Sequence, residues 1–86
     1  MTLNHNELRT LDLLFQLASS DVPATARRVA ERAGRPEAEV LSDLSALARH
    51  GLIHPARCRL TFAGLAIAAS RAGERTGLAS LLRRAA

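Results

Sequence analysis

Four residues, Ala33-Gly34-Arg35-Pro36, separate two helical hydrophobic patterns, and this break constrains the chain more than any other feature. Upstream, Ala26, Val29, Ala30 and Ala33 recur at helical spacing, with Arg27, Arg28, Glu31 and Arg32 facing out. Thr25 stands where an N-cap is needed and Gly34 where a left-handed residue ends a helix. Downstream, Pro36 opens a helix over 36–50, with Glu37 in its first turn and Gly51 as its stop. Val40, Leu41, Leu44, Leu47 and Ala48 form its expected buried stripe. Its outward face then carries Glu39, Ser42, Ala46 and Arg49, with Arg35 at its mouth. The chain is thus expected to place a helix, a tight turn and a second helix in succession.

The flanks complete one small domain. Residues 4–18 read as an amphipathic helix, with Asn4 and Glu7 spaced as a capping box. Leu8, Leu11, Phe15 and Ala18 share a stripe that Leu14 widens, while Leu3, Leu13 and Leu17 fall outside it. His5, Arg9, Asp12 and Gln16 form the polar face. So wide an apolar arc suggests a further packing partner, either the C-terminal tail or a second subunit. After Gly51, Leu52 and Ile53 resemble a first strand and Cys58 to Thr61 a second, with Pro55 near the turn and Arg57 and Arg59 on one side. Thr61 caps a fourth helix, with Phe62 placed as a staple residue, Leu65 and Ile67 as anchors and Gly73 as the stop. A last amphipathic piece runs from Leu78 to Arg84. The expected class is mainly α with a small β-hairpin.

Composition narrows the rest. With 86 residues, 48% of them hydrophobic, the chain has material for one core. Phe15 and Phe62 are its only aromatic residues, so that core must be aliphatic. All 12 basic residues are Arg. Residues 1–43 hold five Arg against seven acids, net −2, whereas 44–86 hold seven Arg against Glu74 alone, net +6. A basic half suits an anionic partner such as nucleic acid, although it equally serves as a solubilising surface. One cysteine, Cys58, forms no intrachain disulfide and fits a reducing cytoplasm. The start, MTLNHNELRT, lacks the basic and apolar regions of a signal peptide, and no apolar stretch approaches the roughly 20 residues that span a bilayer. No membrane partner is expected.

The order helix, helix, tight turn, helix, hairpin, helix resembles the winged helix-turn-helix regulators of bacteria, of the MarR and ArsR kind. The likeness covers roughly residues 22–70. It runs through TARRVAERAGRPEAEVLSDLSALARHGLI and RLTFAGLAIA, whose marks are Leu44, Leu47, Gly51, Leu52 and Ile53, then Leu60, Thr61 and Gly64. It implies a single winged-helix domain: a helix-turn-helix over 25–50, a wing over 52–61 and a C-terminal helical segment over 62–84. It further implies a cytoplasmic transcription regulator that binds double-stranded DNA as a homodimer, with helix 36–50 in the major groove. On that resemblance Arg35, Glu39, Ser42, Ala46 and Arg49 are base-reading candidates. Thr25, Arg27 and Arg28 would meet phosphate at a helix N-terminus, and Arg57 and Arg59 would serve the wing. Helix 4–18 and the C-terminal segment would join the two copies.

Several residues admit other readings. Glu37, Glu39 and Asp43 put carboxylates on the presumed reading helix. A carboxylate is repelled by phosphate and pairs only with a base donor such as cytosine N4. Asp43 lies at the flank, and Glu39 shares the outward face with Ser42. The alternative is a protein-interaction winged helix, a complex subunit or an anti-repressor, whose acidic face meets a basic partner. Arg27 and Arg28 suit phosphate or simple solvation, and Arg49 suits either DNA or the helix dipole. His50, His54 and Cys58 recur every four residues, but Gly51 interrupts the helix between them and no carboxylate is close enough to complete a metal site. Cys58 reads as a half-buried structural thiol rather than a redox sensor. No phosphate-cradling glycine loop and no nucleophile–base arrangement is present, so neither an enzyme nor a cofactor is expected.

Overall fold

A computed structural model of the chain describes residues 2–54 and 58–76, the last three of these by backbone alone. The described residues form four helices: α1 (His5–Ser19), α2 (Ala26–Ala33), α3 (Glu37–Arg49) and α4 (Phe62–Thr76). Arg57 and the amphipathic stretch Leu78–Arg84 lie outside the described residues.

The helix boundaries follow from local chemistry. Asn4 Oδ1 accepts the Glu7 amide at 2.8 Å and Glu7 Oε1 accepts the Asn4 amide at 3.0 Å, which completes the capping box. α1 ends in a Schellman turn: the Val22 amide donates to the Leu17 carbonyl at 2.9 Å and the Asp21 amide to that of Ala18 at 3.2 Å. Asp21 occupies the left-handed position usual for glycine, at φ 55°. The helix therefore stops at Ser19, four residues before Pro23. The Thr25 hydroxyl accepts the Arg28 amide at 3.0 Å, and Gly34 ends α2 at φ 66°. Gly51, at φ 73°, ends α3 in the same way, with the Leu52 amide on the Leu47 carbonyl at 3.0 Å.

The core is aliphatic. Leu11, Leu14 and Leu17 of α1 meet Val29 and Ala30 of α2, Val40, Leu44 and Leu47 of α3, Ala68 of α4, and Leu52 and Ile53. α1 packs against each of the other three helices. This explains its wide apolar arc without a second subunit: Leu17 is buried, and Leu3 and Leu13 are half-buried against the core. Ala18 is exposed.

The expected β-hairpin is reduced. Among the described residues the pairing of 52–54 with 58–61 amounts to one antiparallel bridge, Ile53 with Leu60. Two hydrogen bonds flank it, His54 amide to Arg59 carbonyl at 2.9 Å and Thr61 amide to Leu52 carbonyl at 3.0 Å. Gly51 and Thr61 are both committed to helix ends, which leaves nine residues for two strands and the turn between them and keeps any pairing short.

α4 also departs from expectation. It packs through its smallest residues, Gly64 and Ala68, one turn apart and both buried. A Cβ on Gly64 would overlap the Leu52 carbonyl oxygen. So close an approach turns the bulky side chains away: Phe62 is 87% and Leu65 43% exposed, so neither staples nor anchors the helix. Gly73 does not stop α4, which continues to Thr76. Thr61 caps it as expected, its hydroxyl accepting the Gly64 amide at 3.1 Å and donating to the Gly51 carbonyl at 2.7 Å.

Candidate nucleic-acid interface

α3 is wedged between α1 and α2 and must bury side chains toward both. At 100° per residue, Ala46, Asp43, Leu47, Val40 and Leu44 occupy an arc of about 160°, and all five are buried. Ala46 is therefore core, at 4% exposure, and cannot serve as a base-reading side chain. Leu41 moves the other way, out of the expected stripe to 51% exposure. The open face consists of Ala38, Leu41, Ser42, Ser45 and Arg49. Ala38, Leu41 and Ser45 were missed because the sequence stripe was centred one position too far toward Leu41. The small size of residues 38, 42 and 45 was the available signal.

Two of the three acidic residues of α3, Asp43 and Glu39, are engaged by Arg35, while Glu37 in the first turn stays exposed. Asp43 is buried and its Oδ2 accepts from the Thr10 hydroxyl at 3.0 Å and from Arg35 Nη1 at 2.6 Å. Thr10 has no exposed surface. Arg35 also pairs with Glu39, Nη2 to Oε1, at 3.7 Å. Its guanidinium pKa is raised, chiefly by the Asp43 hydrogen bond, which outweighs the lowering by burial, with further support from the charges of Asp43 and Glu39. Asp43 thus lies in the interior rather than at the flank. Arg35, its side chain only 18% exposed, is committed to the fold instead of to a base. Glu39 stays half-exposed at the edge, its charge offset by Arg35. Of the five base-reading candidates, Ser42 and Arg49 remain fully open.

The phosphate candidates at the start of α2 are accessible. Arg27 pairs with Glu31 at 3.4 Å, with both side chains largely in water, where such a pair stabilises little. Arg28 donates one N–H to the Pro23 carbonyl and keeps its remaining donors. Thr25 is engaged as the cap. Arg49 and Arg59 are exposed and form no ion pair among the described residues. Thr25 and Arg59 line one open groove of about 840 Å³, bounded by the end of α1, the start of α2, residues 58–60 and Leu65. This groove does not include the open face of α3.

Cys58 forms part of the same groove and is half-buried. Burial pushes its thiol above the ordinary value, partly offset by a hydrogen bond with the Ala26 backbone. That is the opposite of what a thiolate sensor needs. Among the described residues no three His, Cys, Asp or Glu side chains gather as a metal site would require. No described helix is long and apolar enough to cross a membrane.

Comparison with models of known protein families, with curated protein sequences and with solved structures returns no match.

Proposed function

We propose that this chain is a winged helix-turn-helix transcription regulator that binds double-stranded DNA, with α2, the Gly34 turn and α3 as the reading unit. The observation that carries the reading is the outer face of α3. It is open over three turns and, apart from Leu41 and Arg49, lined by small side chains, with Asp43 turned inward and Glu39 paired with Arg35. A helix enters the major groove only if its leading face admits close approach and does not repel phosphate. Arg27 and Arg28 at the start of α2, Arg49 at the end of α3 and Arg59 beyond it are the sites for phosphate contacts. Two copies on a two-fold operator is the arrangement proposed, although α1 no longer argues for it, because its apolar arc is consumed within one chain.

The competing reading, a protein-binding winged helix, is favoured by the exposed Phe62, Leu65 and Leu41. Electrophoretic mobility of random-sequence duplex DNA at low salt separates the two. A shift that weakens steeply as salt rises supports DNA binding. An unshifted duplex at micromolar protein in low salt removes it. Sedimentation equilibrium with and without duplex tests the two-copy arrangement.

A further inference from the structure

The DNA-binding reading raises a second question, namely which base features this α3 is equipped to read. Paired hydrogen bonds to a purine edge need the fork of Arg or the amide of Asn or Gln, or a Lys at guanine. None of these stands on the open face before Arg49, in the last turn of α3. Before Arg49 that face presents instead a methyl at Ala38, an isobutyl group at Leu41 and hydroxyls at Ser42 and Ser45. Leu41 is the exception among the large side chains of α3: half of its surface is exposed while Val40, Leu44 and Leu47 are buried. An exposed Leu beside Ala on a helix face gains by meeting another apolar group. In the major groove the only apolar feature of any base pair is the thymine 5-methyl. Ser hydroxyls donate or accept and discriminate weakly among bases.

We infer that the open face of α3 selects its sites by burying thymine methyl groups against Ala38 and Leu41. This rests on the DNA-binding reading and names what that site recognises. Arg49 adds one guanine or phosphate contact at the far end of the helix.

The test begins with duplexes selected from a pool with a random 20-base-pair centre by retention on the wild-type protein. Enriched duplexes should carry thymine at two or more fixed positions. Each such thymine is then replaced by deoxyuridine, which removes the methyl and nothing else. Binding should weaken about fourfold per position, the equivalent of roughly 0.8 kcal/mol for one methyl. Leu41→Ala, at an exposed position, should abolish the thymine–uracil difference at one position while keeping the salt dependence and the helical circular dichroism. Salt-sensitive binding with equal affinity for thymine and uracil duplexes overturns the methyl inference and leaves the DNA reading standing. No retention of any duplex at low salt overturns both.

Discussion

Replacing Asp43 by alanine should destabilise the protein by about 3 kcal/mol, because Asp43 joins α1, α3 and the turn between α2 and α3. Its Oδ2 holds the Thr10 hydroxyl at 3.0 Å and the Arg35 guanidinium at 2.6 Å. Truncation leaves the Thr10 hydroxyl buried with no acceptor at that side, a cost of roughly 1–3 kcal/mol. It also removes a charge-assisted hydrogen bond of about 1.5–3 kcal/mol, taken near its lower end because water reaches the Arg35 side chain. For a domain whose total stability is on the order of 5–15 kcal/mol, that is a large share. Urea denaturation followed by circular dichroism at 222 nm reads it as a midpoint drop of roughly 2–3 M, at a slope of about 1 kcal/mol per molar. Thr10→Val supplies the control. Alone it should cost about 1 kcal/mol, since it removes one hydrogen bond and leaves the Arg35 pair in place. Combined with Asp43→Ala it should recover stability, because the stranded hydroxyl is gone. If Asp43→Ala costs under 1 kcal/mol, or if the two changes simply add, Asp43 is not the interior link described, and its carboxylate returns to the list of objections to DNA binding.

Two glycines of α4 should respond in opposite directions to alanine. Gly64→Ala drives a Cβ into the Leu52 backbone, so overpacking of at least 2–3 kcal/mol should outweigh the roughly 1 kcal/mol gain in helix propensity and lower Tm by about 10 °C. Gly73→Ala meets open space and should raise Tm by several degrees, in line with a gain of about 0.5–1 kcal/mol. Asp21→Gly relieves a left-handed backbone at φ 55° and should stabilise by about 0.5–1 kcal/mol in the same urea assay. Because the Cys58 thiol is raised in the fold, its contribution to stability is complete below the unfolded value of about 8.5 and is lost as pH climbs through the folded one. Iodoacetamide labelling of native protein should accordingly show a pH midpoint above that of the urea-unfolded chain, and a lower midpoint would show that the thiol is activated. Arg27→Ala with Arg28→Ala should weaken binding to duplex DNA and flatten its salt dependence, with Tm changed by only a few degrees; unchanged affinity would remove both residues from the proposed interface.

The local rules were legible before any packing was considered. The Asn4–Glu7 box, the Thr25 and Thr61 caps and the Gly34 and Gly51 stops each depend on a few neighbouring residues, and each stands where the sequence puts it. Gly73 misled because a glycine ends a helix only when the backbone turns left-handed there, and its identity alone does not say whether it does. The candidate interface was half legible for a similar reason. Periodicity locates an apolar stripe to within about one residue, and on a helix of 13 residues that error exchanged Ala46 for Leu41.

The amino-acid order determined where the helices start, where α2 and α3 stop, and that the core would be aliphatic, since capping, glycine stops and the near-absence of aromatics act within a few residues or by inventory. Only the tertiary structure decided which way α3 and α4 rotate about their own axes. Rotation depends on contacts between residues far apart in the chain: Thr10 to Asp43, Asp12 to Arg71, and Gly64 against Leu52. Those contacts turn Asp43 inward, press Ala46 into the core and leave Ala38, Leu41, Ser42, Ser45 and Arg49 in water.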